Sequence, residues 1–155
     1  MMNNEQEEAK RMQETINNRQ QMMEKYGWVV DFVFDGEKTK CGTGTGRDVH
    51  THGLLENFDH TDLQIILPLD SNTAHSILYT AVERIKKGEK FHAGGLYSDI
   101  LGGGYKVTFI DAKQGDRDVL RMILPDKDGN LEKNEIEDDF LEQYNMVACD
   151  GHDEA

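Results

Sequence analysis

The sequence predicts an α+β domain: a mostly antiparallel sheet of about five strands, with one central amphipathic helix packed on it and a peripheral N-terminal helix. Two observations predict this class. Short segments rich in β-branched, aromatic and other apolar residues alternate with turns that contain Gly, Pro or Asp, which is typical of strands. Only one segment with strong helical periodicity lies among them, whereas a doubly wound sheet places a helix after almost every strand.

The 155 residues have the length of one domain, and the sequence divides them into three parts. We expect a peripheral helix over residues 1–25, a single α+β domain over residues 26–147 and a disordered acidic tail over residues 148–155. The first helix has a thin apolar stripe interrupted by Gln and Asn, and Gly27 suits its end. We therefore expect it to pack at the edge of the sheet or on its other face, with docking to a partner helix as the alternative.

Three strands are predicted in the first half of the chain, at Trp28–Phe34, Asp48–Leu54 and Leu63–Leu69. The first has apolar side chains on both faces, and the third is apolar enough to lie in the middle of the sheet. The Gly-rich connection at residues 38–47 resembles a phosphate-binding loop only superficially, because a strand rather than a helix follows it. We expect that connection to be a mobile loop.

The segment Ser71–Lys87 has the strongest helical pattern in the chain. Its apolar residues recur at helical spacing: Ala74, Ile77, Leu78, Ala81, Val82 and Ile85. Asp70 or Ser71 can cap its start, and Gly88 can end it. One face of this helix must therefore cover the sheet.

Two further strands are predicted after this helix, at Tyr105–Ile110 and Val119–Leu124, with a turn over Gln114–Asp118 between them. The segment before them, residues 89–104, contains five glycines and little periodicity. It is expected to be irregular.

The formal net charge of −13 bears on the partners of the protein. Direct nucleic-acid binding needs clustered Lys and Arg, so no nucleic-acid partner is expected. No apolar run approaches the roughly 20 residues of a membrane helix, and no secretory signal precedes the first helix, so we expect no membrane association and a cytoplasmic location. The acidity serves solubility alone, a basic protein partner or mimicry of nucleic acid. The sequence leaves the oligomeric state open.

Three of the six histidines, His50, His52 and His60, lie close together in the sequence. On a strand, His50 and His52 point to the same face about 7 Å apart, which lets two imidazoles bind one metal ion. His60 or Asp59 would add a third ligand and leave a position for water, as catalytic zinc needs. The alternative is that the pair is hydrogen-bonded within the sheet or exposed. No cofactor is otherwise expected; zinc or a similar metal is the one that the pattern allows.

Four short motifs follow one another in a fixed order. They are GWVV at residues 27–30, HTHGL at 50–54, FDHTDL at 58–63 and PDKDG at 125–129. Their order and spacing resemble the bacterial domain of unknown function 4262. The resemblance covers roughly residues 26–144 and implies no activity, because the function of that family is not established.

Of the three histidines, only His60 matches the pattern of that family. His50 replaces its Tyr, and His52 falls at a variable position. The resemblance therefore does not imply a site built from His50 and His52.

Two functions of different class are predicted. The first is a non-enzymatic, protein-binding domain of the immunity or inhibitor type, because the chain is small and acidic and lacks a complete catalytic set. The alternative is a small hydrolase-like enzyme that uses His50, His52, Asp59 and His60, with or without a metal. His60 and Asp59 are then the catalytic candidates, since an imidazole titrates near neutral pH. The competing interpretation of His60 is structural: its ring bonds to the backbone and holds the loop that enters Leu63–Leu69.

A ligand-binding cleft is also predicted beside the Gly-rich segments, because loops of this length in a compact domain are either mobile or functional. The alternative is that these glycines only make flexible connections and that no such pocket exists. Tyr97, Tyr105 and His52 are expected to line it. The largest pocket would then be bordered by the Asp48–His60 stretch and the Phe91–Tyr105 segment. This prediction requires His52 and Tyr97 to lie on the same face of the sheet.

Overall fold

A computed structural model describes residues 3–34 and 47–144 of the chain. The predicted α+β class is confirmed. The elements are α1 (Asn4–Tyr26), β1 (Val29–Phe34), β2 (Arg47–His52), α2 (Leu54–Phe58), β3 (Leu63–Ile65), α3 (Ser71–Lys86), β4 (Thr108–Gln114), β5 (Arg117–Ile123) and a 3-10 helix (Asp138–Tyr144). The predicted acidic tail, both cysteines and most of the Gly-rich connection after β1 lie outside the described residues.

The five strands form one mixed sheet in the order β1-β2-β3-β5-β4. The pairs β1–β2, β2–β3 and β4–β5 are antiparallel, and β3–β5 is parallel. The parallel pair needs a long crossover, which the chain supplies with α3 and the segment after it. β3 is the middle strand, as predicted, but only three residues of the predicted Leu63–Leu69 strand join the ladder.

The two faces of the sheet differ in character because side chains alternate along each strand. We call the first the core face; α3 packs on it, and its strand residues include Val49, Leu63, Ile65, Phe109, Leu120 and Met122. The second we call the polar face. The strand register places Asp31 opposite His50, His50 opposite Gln64, and Gln64 opposite Arg121 across this face.

The helix α3 forms as the sequence predicts. The Asp70 side chain accepts hydrogen bonds from the backbone N–H groups of Asn72 and Thr73, at 2.8 and 3.4 Å. Its buried residues are Ala74, Leu78, Ala81, Val82 and Ile85, all on the face toward the sheet. Burial of this stripe holds the helix in place.

Two predicted strands have different limits in the structure. The strand predicted over Asp48–Leu54 ends at His52, because Gly53 takes φ 103° and turns the chain into α2. Leu54 begins that helix and is fully buried. The strand predicted from Tyr105 begins only at Thr108 and continues to Gln114, so the turn before β5 is shorter than predicted.

The peripheral helix α1 contains no buried residue. Asn3 and Gln6 form a reciprocal capping box at its start, and Gly27, at φ 85°, ends it. Met23 is half-buried, and every other residue of α1 is exposed. Within the described residues, no helix is both long and apolar enough to cross a membrane.

Candidate functional site at the β1–β2 edge

The polar face carries a cluster of potential ligand atoms on β1 and β2. Asp31 lies opposite His50 in the antiparallel register, and His52 lies two residues along the same strand. The His50 and His52 rings are 5.0 Å apart at their centroids. One ligand atom from each of Asp31, His50 and His52 lies within 4.8 Å of the other two. The structure thus brings the predicted histidine pair together, with Asp31 as the third member.

His50 is the buried member of this cluster and is 2% exposed. Its Nδ1 lies 3.0 Å from Asp48 Oδ1, and Gln64 Nε2 donates to the same oxygen at 3.0 Å. Arg121 Nε donates to Gln64 Oε1 at 2.8 Å, which fixes the orientation of that amide. Because a carboxylate only accepts, His50 Nδ1 is the donor in this hydrogen bond.

His52 and Asp31 form the more open part of the cluster. His52 Nε2 lies 3.0 Å from Asp31 Oδ2, and Arg19 of α1 donates to both Asp31 oxygens, at 3.3 Å from Nε and 2.9 Å from its terminal nitrogen. The Asp31 and Arg19 side chains are 31% and 44% exposed. Water screens an ion pair at such exposure, so it contributes little to stability.

The charges around this pair decide its protonation. Burial acts to raise the pKa of Asp31, but the hydrogen bond and positive charge of Arg19 outweigh it and lower the pKa. Burial lowers the pKa of His52, and the positive charge of Arg117 adds to this, while Asp31 opposes it. Asp31 is therefore ionised and His52 neutral at pH 7. Arg19 is then the main partner of Asp31, because a neutral ring carries no charge.

A cleft of about 330 Å³ opens beside His52. Its residues come from α1 on one side and from the end of β2 and α2 on the other: Arg19, Met23, His52, Gly53, Glu56 and Asn57. Gly53 allows this close approach, since a Cβ there would lie 2.6 Å from the Gly27 carbonyl oxygen. The cleft therefore adjoins the exposed side of the cluster.

His60 lies in a different environment from the other two histidines. Its Nδ1 donates to the Thr61 carbonyl at 2.7 Å, and its Nε2 accepts from the Phe91 N–H at 3.0 Å. Burial lowers its pKa, Lys90 and His92 add to this, and the Thr61 bond opposes it. Both ring nitrogens therefore bind the backbone, in agreement with the structural interpretation. The structure does not bring His60 to His50 and His52, so the predicted three-histidine arrangement is wrong.

Asp59, the other catalytic candidate, lies on the surface. Its backbone is left-handed, with φ 54°, and it ends α2. Its carboxylate is 93% exposed and lies 3.6 Å from Lys90 Nζ. Because His60 uses both nitrogens on the backbone, this geometry does not make a catalytic pair from Asp59 and His60.

The prediction that His52 and Tyr97 line one cleft is wrong. Tyr97 packs edge-to-face on Phe91 and Phe109, with centroids 4.8 and 5.6 Å apart, and Phe109 belongs to the core face. His52 lies on the polar face, so the two side chains are on opposite faces of the sheet. The physical reason is that the aromatic cluster and an antiparallel bridge from Tyr97 to Val107 order this Gly-rich segment against the core. A binding role for Tyr97 stays a prediction.

Tyr105 contacts the loop after β5 with its hydroxyl group. Its hydroxyl donates to the Lys127 carbonyl at 2.7 Å, while the residue remains 38% exposed. Its hydroxyl therefore stabilises the turn at Lys127, and Tyr105 does not line the cleft beside His52. A binding role for Tyr105 also stays a prediction.

Comparison with known protein families identified a family whose model matches this chain. The model of a domain of unknown function, DUF4262, matches residues 22–135, most of the chain. The chain belongs to the DUF4262 family. Comparison with curated proteins and with solved structures found no significant match. The DUF4262 match includes Asp31, His50 and His52, but it begins after Arg19.

Sequence reasoning missed two residues at this site, Asp31 and Arg19. Asp31 is a single charged residue within an otherwise apolar strand, and that interruption was the signal for it. Arg19 gave no signal, because Arg is ordinary on an exposed helix. Only the packing of α1 beside β1 places its guanidinium on Asp31.

Proposed function

We propose that this domain is a non-enzymatic protein-binding domain whose basic partner docks on α1. The observation that supports it is a mostly apolar seam, the α1 seam, which follows alternating steps of three and four residues and includes one charged residue, Arg19. Its members are Ala9, Met12, Ile16, Arg19, Met23 and Tyr26. Such spacing is the pattern of a helix that packs along one side against another element.

Only the second half of the α1 seam contacts the domain. Arg19 pairs with Asp31, and Met23 packs beside Gly53. In the first half, Met12 is 66% and Ile16 47% exposed. The same face that docks at one end of the helix is thus uncovered at the other.

A partner would complete the packing that this helix lacks. α1 has 23 residues and spans about 34 Å, which carries its first half well beyond its contact with β1. Most helical stability in proteins comes from burial of an apolar face rather than from propensity. Met12 and Ile16 are neighbours one turn apart on the helix surface, and adjoining exposed apolar residues indicate an interaction surface more than isolated ones do.

The charge around the α1 seam favours a basic partner. The first half of the helix carries four carboxylates, at Glu5, Glu7, Glu8 and Glu14, against two cations, Lys10 and Arg11. The whole chain adds a net charge of −13. A partner segment with apolar residues in its centre and Lys or Arg at its margins matches this surface, and opposite charge speeds its association.

The hydrolase-like alternative loses support in its predicted form. His50 and His52 lie on the polar face, whereas His60 binds the backbone of Thr61 and Phe91. Asp59 is exposed at the end of α2. The four predicted residues do not converge, so we do not propose them as one catalytic site.

Affinity capture with matched variants tests the protein-binding proposal. Met12→Asp with Ile16→Asp places two charges in the α1 seam. Asn18→Asp with Gln21→Asp adds the same charge on the opposite side of the helix and serves as the control. We expect the wild type and the control to retain a basic protein that the seam variant loses. Raising the salt to about 0.5 M, where the Debye length is about 4 Å, should weaken its retention.

Two results would contradict the proposal. One is a capture pattern that is the same for the seam variant and the wild type while circular dichroism shows equal helix content. The other is a homodimer in sedimentation that the seam variant abolishes, since a second copy would then be the natural occupant of the α1 seam.

A further inference from the structure

We propose that Asp31, His50 and His52 form a binding site for a divalent transition-metal ion of the zinc class. Protein binding at the α1 seam is not needed to infer this site, although Arg19 belongs to the seam and also contacts Asp31. The site differs from the set predicted from the sequence, because a carboxylate from the neighbouring strand takes the place of His60.

The donor set fits such an ion in type and in position. Two imidazoles and one carboxylate are the protein ligands of many zinc sites that keep a fourth position open, whereas magnesium and calcium prefer oxygen ligands. The three ligand atoms already lie within 4.8 Å of one another. They project from two hydrogen-bonded strands, and side chains on paired strands are held more firmly than those on loops.

The surroundings of His50 add an independent observation. A histidine that binds metal through one nitrogen usually donates the other N–H to a carboxylate or carbonyl, which orients the ring. Asp48 occupies this position at 3.0 Å from His50 Nδ1 and is itself held by Gln64. Asp48 thus orients the almost completely buried His50 ring and leaves Nε2 as the nitrogen that would bind the ion.

The fourth coordination position would face the cleft beside His52. His52 belongs both to the cluster and to the cleft of about 330 Å³ under α1. An ion there would replace the direct 3.0 Å contact between His52 Nε2 and Asp31 Oδ2 and would bind both groups at once. The cleft leaves room for water or a small ligand on that ion.

Arg19 makes the proposal specific, because it competes with a metal for Asp31. Its guanidinium donates to both carboxylate oxygens. Removal of this cation frees the carboxylate and lowers the local positive charge. Arg19→Ala should therefore bind zinc several-fold more tightly than the wild type, whereas loss of an unrelated surface cation should have no such effect.

The test is a titration of the full chain, without a histidine tag, by Zn²⁺ in a calorimeter and by Co²⁺ in visible absorption. We expect one equivalent to bind, with the cobalt bands of a low-coordinate nitrogen–oxygen site. Asp31→Asn and His50→Ala should each weaken binding by at least about tenfold, and Asp48→Asn by about 10–100-fold through the orientation of His50. Mg²⁺ should not compete.

Two control variants separate this site from its alternatives. His92→Ala removes an exposed histidine outside the cluster and should leave zinc affinity unchanged. His60→Gln should also leave it unchanged; a loss equal to that of Asp31→Asn would restore the three-histidine set and overturn the proposal. Asp31 is part-exposed, so Asp31→Asn should fold even where the buried His50→Ala does not. Zinc affinity that is absent in the wild type, or unaffected by Asp31→Asn, refutes the site.

Discussion

Replacement of His60 by Ala tests whether this histidine serves the fold. His60 is 5% exposed and lies between α2 and β3. Its two ring nitrogens bind the backbone on either side: Nδ1 donates to Thr61, and Nε2 accepts from the Phe91 N–H, 31 residues away. Its ring also contacts the Phe91 ring edge-on, with centroids 5.9 Å apart. Ala removes all three interactions.

The expected loss of stability follows from these contacts. Phe91 is 3% exposed, so its N–H would be left without a partner, which costs about 1–3 kcal/mol. Loss of the ring from the core margin adds about 1–2 kcal/mol of buried surface and cavity. The Thr61 carbonyl is only part-buried, and water can replace His60 there. The sum is about 2–5 kcal/mol, a large share of the 5–15 kcal/mol that is typical of a domain.

Urea unfolding followed by circular dichroism measures this loss. His60→Gln retains one donor and one acceptor and should lose clearly less than His60→Ala. His92→Ala, at an exposed position, should leave the free energy of unfolding nearly unchanged. An unfolding midpoint for His60→Ala equal to that of His92→Ala would refute the structural role and return His60 to the catalytic candidates.

The pH dependence of the free energy of unfolding provides a second test of the structural role of His60. Because burial lowers the pKa of His60 below its ordinary 6.5, the unfolded chain binds a proton there more readily than the folded chain. Well above pH 6.5 neither state is protonated at His60, so this difference in pKa does not affect stability. Below pH 6.5 the unfolded state gains the proton first, which lowers the free energy of unfolding. The stability advantage of the wild type over His60→Gln should therefore shrink as the pH falls from about 7 to about 5.

Two further substitutions test the scaffold around the cleft, each by its unfolding midpoint. Gly53→Ala should cost at least about 2 kcal/mol, because it adds a clash with the Gly27 carbonyl to the strain of φ 103°. Gly88→Ala, with the same φ and open space, should cost less, and an equal cost would refute the clash. Asp62→Ala should cost about 3 kcal/mol, since this buried carboxylate accepts from Thr51 and Leu54 and pairs with Arg117. Asp118→Ala, at an exposed pair, should change little; similar losses for both would contradict the assigned role of Asp62.

The sequence was informative where neighbouring residues carry the signal. The α3 helix could be predicted with its cap, because Asp70 and the apolar stripe lie within one segment. The central position of β3 followed from its apolar composition. The pairing of His50 with His52 followed from the two-residue alternation of a strand, which is a local property of the backbone.

Segments with weak local patterns were predicted less well. The strand predicted over Asp48–Leu54 ends early, at His52, because Gly53 at φ 103° redirects the chain. The strand predicted from Tyr105 begins later, because Val107 pairs with Tyr97 in the preceding loop. The short helix α2 gave little signal, since five residues hold barely more than one helical turn. Its start depends on the backbone of Gly53, which the residue type permits but does not require.

Only the tertiary structure decided which side chains share the site. Asp31 faces His50 because β1 pairs with β2 in one register, and a shift by one residue would turn Asp31 to the core face. Arg19 reaches Asp31 because α1 lies beside that edge, and His60 leaves the cluster because the Phe91 N–H, 31 residues later, binds its ring. The alternation of side chains along a strand depends on adjacent residues alone. Strand register and helix position are those that minimise the free energy of the whole core, so they cannot be predicted from a single stretch of sequence.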